Sequence, residues 1–240
     1  MVKLSRQLEK IEKKEKKGAY GQWRKQLCRR YARKQTITRD NALKVLTENL
    51  SAAGESISCK AGCIYCCYHY VAVSLVQGIV IVDHLYRNRA LLKRFLQNYE
   101  TWYQQANELA AQLDAARGKA LARSLAVDQV IEETRPLSTQ YLNAQIRCPF
   151  LDNTRCIIYP VRPAACSAHC SVSDPEDCAP SSSQQPSIRN CVASDQDIIE
   201  TVQLADPRLS LYELTLPTMI FRLLTEGGDT LMRECAEIKT

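Results

Sequence analysis

Cysteine spacing constrains this chain more than any other feature. Cys59, Cys63, Cys66 and Cys67 fall within nine residues, in the run C-K-A-G-C-I-Y-C-C. A second group follows about eighty residues later: Cys148, Cys156 and Cys166, in C-P-F-L-D-N-T-R-C-I-I-Y-P-V-R-P-A-A-C. His169, Cys170, Cys178 and Cys191 come after it. Two to four residues between cysteines let thiolates from one turn face a common ion. The backbone then aims N–H groups at the sulfurs and offsets their charge. Four thiolates held close would otherwise repel, and a metal removes that cost and keeps them deprotonated.

The alternative is a set of disulfides or buried free thiols. Cys66 and Cys67 are adjacent and pair poorly with each other. Twelve cysteines in 240 residues are too sparse for a disulfide miniprotein, in a chain long enough to bury its own core. The N-terminus is charged, with no apolar stretch of secretory type. The longest apolar run, Val71 to Val82, is broken by Ser74, Gln77 and Gly78 and is too short to span a bilayer. The expectation is therefore a cytoplasmic, reducing compartment without membrane contact, where dense cysteines bind metal. Cys28 and Cys235 sit in helical patterns and read as small buried residues. His84 reads as a packed, hydrogen-bonded core residue. His69 reads as a support to the ligands, and His169 is the best nitrogen-ligand candidate.

Zinc takes four Cys or His ligands, and iron–sulfur clusters take cysteine almost exclusively. Seven core cysteines exceed one mononuclear site. The surplus suggests a cluster, two sites, or a cluster beside a second ion. Pro149, Pro160 and Pro163 stiffen the intervening loops. Arg162 is placed to partner the negative centre, or else a surface carboxylate.

The charge is uneven. Residues 1–34 carry 13 Lys/Arg against 3 Asp/Glu, a net of +10, and the remainder, with 19 against 23, is −4. Leu4, Leu8 and Ile11 recur at helical spacing, and Trp23, Leu27 and Tyr31 continue the stripe. This segment reads as a solvated basic helical arm, open to an acidic or protein partner. No nucleic-acid motif accompanies it.

The remaining pattern is helical. Thr38 to Leu50 reads as a helix capped by Thr38, and Val71 to Arg89 as a helix with Leu75, Ile79, Val82 and Tyr86 on one face. Ala90 to Glu133 reads as one long or two consecutive helices. Pro136 starts a short helix to Ala144. Asp174 to Ser187, with three prolines and a serine run, reads as a loop. Asp195–Leu204, Ser210–Thr225 and Asp229–Glu237 complete the set. Strands are expected only as short pieces around the cysteines. The fold class expected is mostly α: an irregular helical domain whose cysteine-rich loops close around a metal centre. It divides into a basic arm (1–50), a cysteine-cluster domain (51–194) and C-terminal helices packed on it (195–240).

As a combination, C-x-x-x-C-x-x-C-C, C-P-F-L, C-x-I-Y and R-P-x-x-C resembles the YkgJ-like cysteine-cluster family, a zinc- or iron-chelating domain. The matching residues are Cys59, Cys63, Cys66 and Cys67, then Cys148–Pro149–Phe150–Leu151, Cys156, Ile158 and Tyr159, and Arg162, Pro163 and Cys166. The likeness spans about residues 59–170. Two positions depart from it: Asn153–Thr154–Arg155 stand where a glycine usually precedes the cysteine, and Ser167 replaces an arginine. The resemblance implies metal binding. Longer relatives with this cluster include flagellin lysine methylases, which brings protein-modifying group transfer into view. Cys59, Cys63 and Cys66, with Tyr65, are also similar to the radical S-adenosylmethionine motif. Against that stand the adjacent Cys67 and the lack of any βα repeat. The expected function is a cysteine-ligated metal-binding protein, holding an iron–sulfur cluster or zinc through Cys59, Cys63, Cys66, Cys67, Cys148, Cys156 and Cys166. The alternative is an iron–sulfur enzyme.

Overall fold

The computed structural model describes residues 21–60, 62–190 and 212–237. Its organising element is a helix, Leu75–Arg87, in which eleven of thirteen residues are buried. The apolar run Leu75–Val82 leaves this helix no polar face, so it packs on several sides. Ser74 caps it, its hydroxyl accepting from the Gln77 N–H at 3.4 Å. We number this helix α2. Helix α1, Gly21–Ala52, precedes it; α3, Arg89–Ala122, and α4, Val127–Asn143, follow. The short α5 is Ala164–Ala168, and α6 and α7 are Leu216–Thr225 and Gly228–Glu237. The molecule is mostly helical.

Helices α1, α3 and α6 all pack on α2. From α1 come Leu27, Cys28 and Tyr31, all buried. From α6 come Met219, Ile220, Leu223 and Leu224. Gly78 sets the α2–α6 distance: a Cβ there would lie 2.6 Å from Met219 Cγ and 2.7 Å from Leu223 Cδ1. Helix α3 buries a long stripe from Leu92 through Phe95, Tyr99, Trp102, Ala106 and Ala110 to Leu113. Helix α4 packs along it, and Trp102 Nε1–H donates to Tyr141 Oη at 2.7 Å.

Among the described residues, six short strands form three antiparallel pairs. Strand β1, Ala72–Ser74, pairs with β6, Glu213–Thr215. Strand β2, Leu151–Asp152, pairs with β3, Arg155–Cys156, and β4, His169–Ser171, with β5, Ile188–Asn190. The last two pairs border cysteines, as expected. The β1–β6 pair does not, and corrects that expectation. Residues 72–74 and 213–215 are strands where helix starts were expected at Val71 and Ser210. Two chain segments that each enter a helix satisfy their backbone groups on one another. Leu216 N–H donates to the Val71 carbonyl at 2.8 Å and Leu75 N–H to that of Tyr212 at 3.0 Å.

Two further boundaries differ. Thr38 is interior to α1, its neighbour Thr36 bonding back to the Ala32 carbonyl rather than capping a new helix. Pro136 is interior to α4. The break falls earlier, at Ser124, whose φ of +53° ends α3, and Ala126 N–H donates to Gln129 Oε1 to open α4. Leu4, Leu8, Ile11, Cys191 and the expected helix at 195–204 lie outside the described residues, as do the side chains of Trp23 and Cys235. Among the described residues, no helix is long and apolar enough to cross a membrane.

Candidate metal centre

The loops that carry the cysteines hang from this core by specific contacts. Helix α3 holds the C-P-F-L segment: Phe150 stacks on Phe95 with centroids 4.5 Å apart, and Asn98 Nδ2–H donates to the Pro149 carbonyl at 3.0 Å. Phe150 is fully buried, so the turn after Cys148 is anchored in the core. Cys148 N–H in turn donates to the Cys67 carbonyl at 2.8 Å, joining the two cysteine groups through the backbone. Cys156 lies on β3, opposite Leu151, and the hairpin closes through Asn153 and Thr154. Asn153 takes φ of +52°, a left-handed conformation that asparagine tolerates better than other side chains with a Cβ. The turn thus forms without the glycine. Arg147 Nη2–H donates to the Asn153 carbonyl at 2.6 Å and braces it.

Cys66 and Cys67 sit on a 3-10 turn, Tyr65–Tyr68. Cys166 lies in α5, which packs against α1. Gln35 of α1 donates from Nε2 to the Arg162 carbonyl at 2.9 Å, fixing the segment that enters α5. Ser58 donates through both N–H and Oγ–H to the Ser171 carbonyl, each at 2.9 Å, and Ser171 N–H donates to Cys59 Sγ at 3.1 Å.

These contacts bring Cys59, Cys63, Cys66, Cys67, Cys148, Cys156 and Cys166 onto the walls of one cavity of about 830 Å³. Cys170, His69 and His169 also line it, the two imidazoles 5.7 Å apart between centroids. The rest of the lining is largely apolar, with Leu43, Val71, Tyr141 and Leu216 among its residues. No disulfide joins any of the ten cysteines described. Cys178 stands outside the cavity wall, in a 3-10 turn Pro175–Cys178 that packs on the turn holding Cys66. Cys28 is buried in the helical core. His84 is half-buried, its Nε2 3.4 Å from the Ile157 carbonyl.

Electrostatics set the protonation of the thiols. Burial, then the Cys59, Cys63 and Cys178 thiols, push Cys66 up to about 11. Burial, then Cys156 and Cys66, push Cys67 up to about 12. Cys148 and Cys166 are also raised well above the usual thiol value, by burial first and neighbouring thiols second. Among the described charged neighbours, Arg162 and Arg147 oppose this, Arg162 favouring the thiolates of Cys66, Cys156 and Cys166, and Arg147 that of Cys67. Burial also lowers the pKa of His69 and His169, which favours neutral imidazoles.

Among the described residues, no group of three or more His, Cys, Asp or Glu side chains stands in an arrangement that could hold a metal ion. The sulfurs share a cavity without forming a coordination sphere. Neutral thiols have no electrostatic reason to converge, and thiolates without a cation repel. The donor set itself fits a thiophilic metal. So does Arg162, whose Nε is buried without a hydrogen-bond partner. A buried cationic donor left open beside thiols calls for negative charge, and a tetrathiolate centre supplies it. The guanidinium is held in place over the Tyr159 ring, 4.2 Å from its centroid.

Spacing alone did not reveal that Cys170 lines the cavity or that Cys178 reaches the first cluster. The one available signal for Cys178 was D-P-E-D-C: Asp174 accepts from the Glu176 N–H at 2.9 Å and caps the 3-10 turn that carries the cysteine. Comparison with protein-family profiles, with curated proteins and with solved structures finds no match.

Proposed function

We propose that this is a cytoplasmic, cysteine-ligated metal-binding protein, holding an iron–sulfur cluster or zinc in the thiol-lined cavity. The observation that carries this reading is convergence. The seven cysteines, from segments as much as 107 residues apart in sequence, line one cavity, beside a buried cationic donor that lacks a partner. Cys59, Cys63, Cys66, Cys67, Cys148, Cys156 and Cys166 would hold the metal, and Arg162 would offset its charge. When bound, such a centre supplies structural closure, electron transfer or a Lewis-acidic site. The chain's own residues bury the sulfurs and fix the loops that bear them. They also present an apolar wall to anything sharing the cavity.

That wall favours one second reading, an enzyme acting on a small or peptide group beside the metal. A cavity of about 830 Å³ is far larger than an ion needs and lies in the range of small-molecule sites. The radical S-adenosylmethionine version lacks support. The described strands form three separate antiparallel pairs, with no parallel sheet to build a barrel.

Anaerobic purification with metal analysis and visible spectroscopy tests the proposal. Brown protein containing iron and acid-labile sulfide, or colourless protein with stoichiometric zinc, supports it. Metal-free protein that binds neither zinc nor reconstituted iron–sulfur overturns it. Cys156→Ala should lower metal content and stability together. Stoichiometric metal in that variant removes Cys156 from the ligand set.

A further inference from the structure

We propose that the cavity also binds a small organic carboxylate, its charged end drawn to Arg155 and Arg162 and its apolar body lying against Leu43, Val71 and Leu216. The inference rests on the second reading above, of a cavity that admits a molecule beside the metal, and names the class of that molecule.

Charge on the wall is one-sided. Lys60, Arg155 and Arg162 line the cavity, and no aspartate or glutamate is among its described lining residues. Composition does not account for that. Beyond residue 34 the chain carries 23 Asp/Glu against 19 Lys/Arg, so an even spread would give the wall at least as many carboxylates as cations. Asp152, which faces Arg155 across the β2–β3 hairpin, pairs with Arg94 at 3.3 Å. Asp174 and Glu176 line an adjoining hollow that Lys60 also borders, so the two arginines carry the assignment. A concave site lined by one sign of charge concentrates ligands of the other.

The arginines divide the task by depth. Arg155 is exposed on β3 and meets an incoming anion first. Arg162 is half-buried, its backbone held by Gln35 and its guanidinium stacked over Tyr159. Its buried Nε has no partner, so the fold has not spent this fork on an internal acceptor. A planar guanidinium matches a carboxylate, and a charge-assisted bond away from bulk water is stronger than a surface pair.

Phosphate fits the wall less well. Phosphate sites draw on free backbone N–H groups at a helix N-terminus or a nest. The N-terminus of α6 reaches this wall, but Leu216 N–H is taken by the Val71 carbonyl and Pro217 has none. What the wall does offer is apolar surface, which suits a hydrocarbon body. The volume of about 830 Å³ accommodates one.

The test is isothermal titration of the full, reduced chain, purified anaerobically and with its metal content measured, using octanoate as the probe. One equivalent should bind, more weakly as salt is raised. Octylammonium, with a similar tail and the opposite charge, should not bind, and inorganic phosphate should not displace octanoate. Arg155→Gln should weaken octanoate about tenfold or more, the loss of one charge-assisted hydrogen bond, with metal content unchanged. Leu43→Glu, at an exposed position of α1, places a carboxylate on the wall and should weaken it likewise. Equal binding of octylammonium shows an apolar cavity without charge selection and overturns the proposal. Phosphate binding more tightly than octanoate overturns the carboxylate assignment. Loss of metal together with octanoate in Arg155→Gln shows that Arg155 supports the metal centre instead, and overturns its role here. A metal-loaded chain that binds no octanoate overturns the carboxylate site and leaves the metal-binding reading standing.

Discussion

At the level of single residues, the buried charges report most about how the molecule is balanced. Asp114 of α3 is largely buried, and its Oδ1 accepts from both the N–H and the hydroxyl of Thr215 at 2.6 Å. Burial raises its pKa to about 6, against the pull of those two bonds and of Arg117 and Arg222. Tyr70, Tyr99 and Glu213 also face this region. The folded chain therefore binds the Asp114 proton more tightly than the unfolded chain does. Between about pH 4 and pH 6 the folded state carries more protons, and stability falls as pH rises. The full cost, on the order of 3 kcal/mol, is present above the folded pKa. Asp114→Asn keeps an accepting oxygen and removes the titration. Its stability relative to wild type should rise steadily from pH 4 to pH 7, read by urea unfolding at each pH. A constant difference across that range would rule this account out. Arg162 offers a second test. With its guanidinium replaced in Arg162→Gln, metal affinity should fall by on the order of tenfold or more, as loss of a supporting group around a metal does. The helical circular dichroism should not change, because its Nε makes no hydrogen bond within the fold.

At the level of elements, what was legible depended on whether the determining interaction was local. Helix α2 was legible from its apolar run, and α7 from its pattern at 229–237. The α3–α4 boundary was not. Pro136 is a strong local breaker, yet α4 runs through it. Packing of α4 along α3 and the Trp102–Tyr141 hydrogen bond outweigh one lost backbone bond. The β1–β6 pair was equally hidden, since a three-residue strand is defined by a partner 140 residues away. Gly78 shows the same distinction. By propensity alone, Gly78→Ala would stabilise α2 by up to about 1 kcal/mol. The added Cβ would lie within 2.7 Å of two α6 side chains, and overpacking of this kind costs about 1–3 kcal/mol. The variant should be less stable than wild type by about 1 kcal/mol, seen as a lower urea midpoint with an unchanged m-value. Met219→Ala in the same chain should make the alanine at 78 better tolerated than in wild type, because it opens the space the Cβ needs.

At the level of the whole molecule, the core and the cysteine loops are separate tasks. The α1–α2–α3–α6 core is apolar and buries Cys28 among the described cysteines, while Phe150, Ile157 and Ile158 of the loops enter it and Cys148 and Cys156 pack against it. Residues 55–60 and 62–64, by contrast, carry little regular structure, and the loops at 148–190 are held by two-stranded pairs, short turns and a few hydrogen bonds. This explains why spacing exposed seven of the cysteines that line the cavity but not Cys170. Spacing within a turn is local, whereas the meeting of the two cysteine groups depends on how the Cys148 and Ser171 backbones are carried to the first cluster. The same division sets what metal removal should do. Binding energy at thiolate sites is expressed in whatever it orders, and here that is the loops. After chelation under reducing conditions, the helical circular dichroism should persist and the thermal midpoint should drop. Hydrogen exchange should rise in peptides covering 55–70 and 148–178, while peptides of α2 and α6 keep their protection. Global loss of protection on chelation would show instead that the metal organises the core itself. In that case the apolar cluster around α2 would be a consequence of the centre rather than its scaffold.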